Sequence, residues 1–210
     1  MVCRGLMLML ERAGEIELPP VRRRITGQSP STRSKPQPFL MDSSPLEARL
    51  GELGPIDIQQ VRRTANEPFF NSLLEHHYYL GYEQPVGEHL KYLVWAGRRP
   101  VACLAWSSSP RHLGARGRFI RWDAAGRKRN IHLLAYNTRF LILAWVRVPH
   151  LASHILGRIA KRLSCDWQQM YGHPIYLVET FVDRSRFGGL VIGRQIGPGW
   201  GRRQDVAKMI

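Results

Sequence analysis

The segment EHHYYLGY, residues 75–82, places two histidines and three tyrosines within eight residues. Imidazole groups exchange protons near neutral pH, and tyrosine rings can stack on nucleic-acid bases. The alternative is a helix end whose tyrosine rings pack on a sheet, which we favour for most of the segment. His77 and Tyr82 are retained as candidate catalytic residues.

A second stretch, residues 111–129, has the densest positive charge in the body of the chain. The chain as a whole has a formal net charge of +15, which favours anionic partners such as nucleic acid. Cationic side chains bind phosphates, and an aromatic ring among them can stack on a base. A solvated basic loop is the competing interpretation. The candidate nucleic-acid-binding residues are Arg111, Arg116, Arg118, Arg121, Trp122, Arg127, Lys128 and Arg129.

Several other kinds of chemistry lack the residues that they need. The three cysteines lie far apart and outside CxxC spacing, so neither a disulfide framework nor a metal site is expected. A Walker loop, an HExxH motif and paired carboxylates are all absent from the sequence, so a hydrolase or ATPase is not indicated. The apolar run FLILAWVRVP is interrupted by Arg147 well short of the roughly 20 residues of a membrane span. We therefore expect a cytoplasmic protein with no membrane partner.

Residues 1–20 and 21–50 are predicted to precede the main domain. Apolar spacing in LMLMLER predicts a helix ended by Gly14, and EIELPP predicts a short strand after it. A helix followed by a strand is typical of the end of a winged helix, so this segment is either a remnant of one or an ordinary N-terminal helix. Residues 21–50 are rich in Pro, Ser and Arg and show no period, which predicts a linker.

Residues 51–188 are predicted to form one α/β domain. IDIQQVRR predicts a first strand, and the helix after it should begin at Thr64 and close at Gly81. LKYLVWAGRRPVACLAW predicts a hairpin, SSSPRHLGARGRF a basic loop, and DAAGRKRNIHLL a polar helix or extended turn. NTRFLILAWVRVP predicts a buried central strand. A helix follows, with its apolar stripe on Leu151, Ile155, Leu156, Ile159 and Leu163, and then the strand IYLVETFVD, parallel to the central one.

The order of these elements resembles that of GNAT-type acyltransferases, with a mixed sheet and flanking helices. The strings EHHYYLGY, PVGEHLKYLV, NTRFLILAWVRVPHLASHILGRIAKRL and YGHPIYLVETFVD are similar to those of the DruA family, a component of Druantia anti-phage systems that is also common in bacterial mobile elements and beside transposases. The resemblance implies a role in defence or mobile-element biology, through nucleic acid or through other defence-system or transposition proteins. An acyltransferase that acts on an amine or a protein is the alternative.

The GNAT resemblance also implies where acyl-CoA would bind. Its pyrophosphate would lie at the start of the helix after the central strand, at Arg147, His150, Leu151, Ala152 and Ser153. This stretch lacks glycines, and Pro149 has no N–H to donate, so we expect a packed helix start and no cofactor. His132 and Glu179 are the candidate general bases, although Glu179 could instead pair with an arginine.

The sequence departs from the family pattern in three places. Gly117 and Arg121 occupy the positions of an acid and a glycine in the loop GRFIRW, Ala144 occupies that of a proline, and residues 189–210 lack the family's last helix and strand. A shifted reading frame from Gly189 onward can encode a family-like string, so we hypothesise a frameshift near that residue. The glycines of the tail do not follow a strand, which excludes a phosphate-binding loop. We expect a disordered tail and an exposed strand edge at residues 175–182.

Overall fold

The computed structural model describes residues 7, 9–18 and 35–180, together with the backbone of residues 206–209. The chain divides into two compact units, Met1–Lys35 and Pro36–Ile210. In the first unit, residues 9–12 are helical, and Gly14 closes the helix with a φ of 74°, as predicted. Residues 15–18 are not a strand, so the predicted strand is wrong over those residues. The described part of this unit therefore offers no second element of a winged helix.

The second half of the predicted linker packs within the larger unit. The His76 ring nitrogen Nε2 donates to the Pro36 carbonyl at 3.1 Å, and the Phe39 ring packs edge-on against Phe69. Strand β1, Leu46–Glu47, pairs in parallel with strand β6, Val146–Arg147. The boundary between linker and domain consequently lies near Lys35 and not at residue 50; residues 19–34 lie outside the described part.

In the described part of the chain, six strands form the main sheet, and five of them confirm predicted strands. The order is β2–β3–β4–β5–β7–β8, antiparallel throughout except for the parallel pair β5–β7. The predicted α/β class with a mixed sheet is therefore confirmed. The strands are β2 Ile56–Gln60, β3 His89–Ala96, β4 Arg99–Ser108, β5 Leu134–Ile142, β7 Leu177–Thr180 and β8 Val206–Met209.

Two helices cover opposite faces of this sheet. Helix α1, Glu67–His77, contacts the side chain of Lys91, whereas helix α4, Leu151–Tyr171, contacts that of Tyr92 through Asp166. Neighbouring residues of a strand point to opposite faces, so the two helices enclose the sheet between them. The predicted stripe of α4 is buried at four positions and continues in Trp167, while Leu156 is half-buried.

Several predicted boundaries of these elements are wrong. Helix α1 begins after Asn66 and ends at His77, because Thr64 forms a turn, with its hydroxyl donating to the Val61 carbonyl. Gly81 lies in a separate turn, with a φ of 63°. Strand β5 begins at Leu134, three residues before the predicted start, and only its first two residues are buried. Helix α4 begins two residues after Pro149.

The segment between β4 and β5, residues 109–133, contains two short helices; the first lies where a basic loop was predicted, and the second confirms the predicted polar helix. It contains α2, Gly114–Ile120, and α3, Ala124–Asn130, followed by one 3-10 turn at Ile131–Leu133. Asp123 begins α3, because its Oδ1 accepts the Gly126 amide at 2.6 Å, a regular N-cap. We call residues 109–133 the basic insertion.

The end of the chain closes one side of the sheet. Strand β8 pairs antiparallel with β7, with Val206 opposite Thr180 and Met209 opposite Leu177. The predictions of a fully disordered tail and of an unpaired edge on β7 are therefore wrong over these residues. Residues 181–205 lie outside the described part. Within that part, the helices are too short or too polar to cross a membrane.

Candidate functional site

The basic insertion presents most of its cations to solvent. Apart from Arg116, the insertion has six cations, of which Arg127 is half-buried and the other five are exposed. Within the described part of the chain, none of the six takes part in an ion pair. The only acidic residue of the insertion, Asp123, is used to cap α3. The six side chains are Arg111, Arg118, Arg121, Arg127, Lys128 and Arg129.

Arg116 differs from these residues, because it is buried. Its side chain is 3% exposed, and its Nη1 lies 3.0 Å from Oε2 of Glu179, which is 1% exposed. Arg116 also donates to the Pro110 and Arg111 carbonyls, and Ser109 Oγ donates to the same carboxylate oxygen at 2.8 Å. The structure thus removes Arg116 from the exposed nucleic-acid candidates. It shows Glu179 in the arginine pair that the sequence had left as an alternative to a general base.

This ion pair ties the basic insertion to strand β7. Glu179 lies opposite Tyr136 of β5, and Arg116 lies in α2, so the pair fixes the first helix of the insertion to the sheet. A buried pair is weak as a source of net stability but costly to break, which makes it a good positional anchor. Trp122 is half-buried between α2 and α3, and His112 is exposed.

A second cluster of polar residues lies between β3 and α1. Lys91, on β3, has a fully buried side chain. Its Nζ donates to Glu67 Oε1 at 2.7 Å, Asn71 Oδ1 at 2.9 Å, Tyr82 OH at 3.0 Å and Gln84 Oε1 at 3.2 Å. The Tyr82 and Phe70 rings also lie within cation–π distance of this ammonium. Such saturation is what a buried charge requires.

Burial and partners pull the pKa values of this cluster in opposite directions. Burial is the largest influence on the Lys91 ammonium and holds its pKa below the usual value, although Glu67 opposes it. Burial would raise the pKa of Glu67, but hydrogen bonds from Lys91 and from the Arg63 amide outweigh it and keep that pKa low. Glu67 therefore carries the charge that stabilises the buried cation.

His89 extends the cluster on the same strand. Its Nδ1 lies 2.8 Å from the Gly87 carbonyl, while its Nε2 contacts Gln84 Nε2 and the Arg62 guanidinium. Burial lowers the pKa of His89 most strongly, and the charges of Arg62 and Lys91 act in the same direction, so the neutral form is favoured. Donation from Nδ1 then leaves Nε2 as the acceptor, which agrees with its partners.

Four residues of this cluster, Phe70, Tyr82, Gln84 and Lys91, line a pocket of about 240 Å³. Its floor is the face of β3, β4 and β5 that α1 covers, and its remaining wall is the loop from Tyr82 to Val86. The lining residues are Phe70, Leu74, Tyr82, Glu83, Gln84, Pro85, Val86, Lys91, Ala105, Ser107, Ser108, Tyr136, Thr138 and Arg139. Of the four predicted catalytic residues, Tyr82 alone lies here.

The other predicted catalytic residues lie elsewhere. The exposed His77 ring packs edge-on against Trp145, and burial, followed by the neighbouring His76, lowers the pKa of His77. His132 is exposed and packs against His173, which bonds to Glu88 at 2.9 Å. The structure therefore does not bring His77, Tyr82, His132 and Glu179 into one site.

The predicted pyrophosphate position is occupied by the chain's own contacts. Arg147 pairs with Glu47 at 2.9 Å, His150 has a left-handed backbone with a φ of 65°, and Leu151 is buried. The Leu151 amide bonds to the Val148 carbonyl at 3.3 Å, so one donor of the first turn is already used. Ala152 and Ser153 are half-buried.

Lys91, His89 and Glu67 are residues that the sequence prediction missed. The available signal was a lysine at the third position of HLKYLVWA, a strand whose first six residues are all buried. A charged residue in such a strand requires a partner, but Glu67 lies 24 positions earlier, and no local pattern joins the two.

The fold and the two polar regions define a class of protein: an α/β domain with a mixed sheet, a polar pocket between this sheet and α1, and a basic helical insertion. The family model of Druantia protein DruA matches residues 9–196, and the chain therefore belongs to the DruA family. The match includes residues 189–196, the first eight residues of the predicted atypical tail.

Two solved acetyltransferases are partly similar in structure. An apo-form mutant of agmatine N-acetyltransferase is 17% identical, with a TM-score of 0.39, and the match covers 67% of this chain and 81% of that chain. The polyamine N-acetyltransferase of Drosophila melanogaster is 17% identical, with a TM-score of 0.35 and coverages of 61% and 76%. No curated protein matches the sequence significantly.

Proposed function

We propose that this DruA-family protein acts in anti-phage defence by binding nucleic acid through its basic insertion. The observation that carries the proposal is the set of six cations that lie on α2, α3 and their flanks without an ion-pair partner among the described residues. Exposed cations that are not neutralised by the protein remain available to phosphates.

The anchoring of the insertion supports this proposal. The Arg116–Glu179 pair holds α2 on the sheet, so the cations project from an ordered support, and little conformational entropy is lost on binding. Trp122 and His112 lie among the cations and supply aromatic rings for stacking on unpaired bases. Phosphate contacts of this kind confer affinity without sequence preference.

The test is the salt dependence of binding to mixed-sequence duplex DNA, single-stranded DNA and RNA of equal length. The double variant Arg121→Gln/Lys128→Gln removes two cations of the insertion. The control Arg98→Gln/Lys161→Gln removes the same two charges from exposed positions in the β3–β4 turn and on α4. If both insertion cations contact phosphate, the slope of log K against log salt falls by roughly 2 in the first variant and stays unchanged in the control.

Equal loss in both variants would reduce the proposal to non-specific attraction by net charge, and no binding at low salt to any of the three nucleic acids would refute it. Arg116 is kept intact in these variants, because its removal would leave Glu179 buried without its partner. Preference among the three nucleic acids identifies the natural one.

The genes next to this one test whether the protein acts in defence or in mobile-element biology. A helicase gene beside this one supports the defence role, whereas inverted repeats or a transposase gene support a mobile-element role instead. Defence-system or transposition proteins encoded nearby are then the partners to test. Sequencing the locus also tests the frameshift hypothesis, which fails if the shifted frame after Gly189 does not encode the family-like string.

The alternative of an acyltransferase lacks a comparable observation. Its cofactor would have to bind at a first helical turn where Arg147 and the Leu151 amide already have partners. Acyl-CoA that raised the melting temperature at concentrations near its Kd would favour this alternative. We expect no such stabilisation.

A further inference from the structure

Two rows of residues run across three strands at the floor of the pocket, and all of these residues except His89 line it. In one row, Lys91 of β3 lies opposite Ala105 of β4, which lies opposite Arg139 of β5. In the other row, His89, Ser107 and Tyr136 are paired in the same way. The rows are two residues apart on β3 and β4, so they share a face on those strands. On β5 they are three residues apart because the register with β4 shifts there, and Tyr136 and Arg139 both line the pocket. Two cations therefore flank a small alanine, with a serine hydroxyl beside it.

Two hydrogen-bonding groups in these rows have no partner among the residues that the structure describes. Ser107 is 3% exposed, and its Oγ is buried without a hydrogen bond. The Nε of Arg139 is likewise buried and unbonded. A buried polar group without a partner costs free energy, and such groups are rare in folded proteins. The two residues that carry these groups line the pocket, and both groups are hydrogen-bond donors.

Most neighbouring polar groups of the pocket are already used. Ser108 Oγ donates to the Glu88 carbonyl, and Thr138 Oγ1 donates to the Ala105 carbonyl. The amide of Gln84 donates to His89, and its oxygen accepts from Lys91. The unused capacity of the floor is thus a pair of donors at Ser107 and Arg139.

Positive charge exceeds negative charge around these donors. Among the residues that the structure describes, Glu67 is the only carboxylate that bonds to Lys91. Glu83 lies 4.0 Å from Arg139 and is 85% exposed, so it neutralises this arginine only weakly. Arg62 adds a further positive charge beside His89. An acceptor that carries a negative charge matches both the donors and this excess.

The opposite wall of the pocket is apolar. Phe70 and Leu74 of α1, with Pro85 and Val86 of the loop, face the polar floor. The volume of about 240 Å³ is below the range of roughly 300 to 1,000 Å³ that is usual for drug-sized ligands. A small molecule with one charged end and an apolar body fits this division.

We propose that the pocket binds a small organic oxyanion, a molecule in which one phosphate or carboxylate group is joined to an apolar body. The oxyanion accepts hydrogen bonds from Ser107 Oγ and Arg139 Nε between the charges of Lys91 and Arg139, and the apolar body contacts Phe70 and Leu74. The site is separate from the exposed cations of the basic insertion, and the proposal does not depend on nucleic-acid binding.

The test compares three probes that share one ring: phenyl phosphate, benzoate and phenol. Binding is measured by thermal stabilisation and by titration calorimetry on the full chain. We expect stabilisation by one or both anions and none by phenol, because phenol is neutral and its single hydroxyl oxygen is a weaker acceptor than an oxyanion. Whichever anion binds more tightly identifies the oxyanion as a phosphate or a carboxylate.

The key variant is Ser107→Ala, with Ser72→Ala as its matched control. Ser72 is 1% exposed, and its hydroxyl is also buried without a partner, but it does not line the pocket. Loss of a hydrogen bond to a charged ligand should weaken anion binding by roughly tenfold in Ser107→Ala and leave it unchanged in Ser72→Ala. Arg139→Gln should weaken it at least as much.

Three results would overturn the proposal: no stabilisation by either anion, equal stabilisation by phenol, or equal affinity in Ser107→Ala and the parent chain. Neither serine variant should alter nucleic-acid retention, and the variant Arg121→Gln/Lys128→Gln should bind the anion normally. Failure of one proposal is therefore distinguishable from failure of the other.

Discussion

The pocket and the basic insertion treat positive charge in opposite ways. Lys91 is fully buried and has four hydrogen-bond acceptors, whereas Arg121 and Lys128 are exposed and unpaired within the described part. A buried charge must find its partners inside the protein, while an exposed one keeps its interaction energy for a ligand. The basic side chains of this protein consequently divide into those that build the fold and those that are free to bind.

Arg116 tests this division most severely, because it lies in the basic insertion but belongs to the buried group. Arg116→Met should lower the free energy of unfolding by about 4 kcal/mol, since Glu179 remains as a buried carboxylate without its cation. Arg118→Met, two positions away and exposed, should change it by less than about 0.5 kcal/mol. Urea unfolding measures the free energy of unfolding of both variants. Similar losses in the two would contradict the division into buried and exposed basic residues.

Glu67 tests the buried side of the comparison. Glu67→Gln should cost about 2 kcal/mol, less than Arg116→Met, because Lys91 retains Asn71, Tyr82 and Gln84 as acceptors. Adding Lys91→Met should recover part of this loss, since the unpaired ammonium is then absent. A double variant less stable than Glu67→Gln alone would contradict this interpretation of the cluster.

The pH dependence of stability sharpens the description of the same region. Burial lowers the pKa of His89 below its ordinary 6.5, so the unfolded chain binds more protons than the folded one just below pH 6.5. The contribution of His89 to the free energy of unfolding should therefore be fully present above pH 6.5 and should decrease as the pH falls below that value. Unfolding of His89→Gln between pH 7.5 and pH 5.5 measures the effect. The variant should show a flatter profile than the parent, and an unchanged profile would count against a neutral, buried His89.

The smallest effect is expected at Arg121, on the exposed side. This residue ends α2 with a left-handed φ of 58°, a conformation that glycine adopts without strain. Arg121→Gly should raise stability by about 0.5 kcal/mol and lower the salt slope of nucleic-acid binding by roughly 1. Thermal melting measures the gain in stability, and the binding assay measures the decrease in the salt slope. A loss of stability would indicate that the arginine side chain contributes contacts of its own.

Local patterns predicted those elements whose stabilising contacts follow a period. The hairpin of β3 and β4 followed from two apolar runs around Gly97, and the buried face of α4 followed from the spacing of Leu151, Ile155 and Ile159. The first half of the basic insertion was predicted to be a loop, because α2 has only seven residues and no apolar stripe. The segment that begins at Asp123 was predicted to be a polar helix or an extended turn, and α3 confirms the helix.

The pocket could not be predicted, because its parts are joined by the fold and not by spacing. Lys91 bonds to Glu67, which lies 24 positions earlier in the chain. On the sheet, Ala105 of β4 lies between Lys91 of β3 and Arg139 of β5. The pairing of β8 with β7 was missed because a four-residue strand carries almost no periodic signal. The burial of Arg116 was also unpredictable, because its partner Glu179 lies 63 positions later in the chain.

The pairing of β1 with β6 has a consequence for the order in which the chain folds. Leu46 lies opposite Val146, so this contact closes a loop of one hundred residues and gains only a two-residue ladder in return. Loop closure of that length is entropically costly, and a short ladder repays little of it. We expect the segment from Pro36 to Glu47 to dock last during folding and to detach first under native conditions. The Leu46 amide, bonded to the Trp145 carbonyl at 2.8 Å, should then exchange its hydrogen through local opening, well before the core strands exchange theirs.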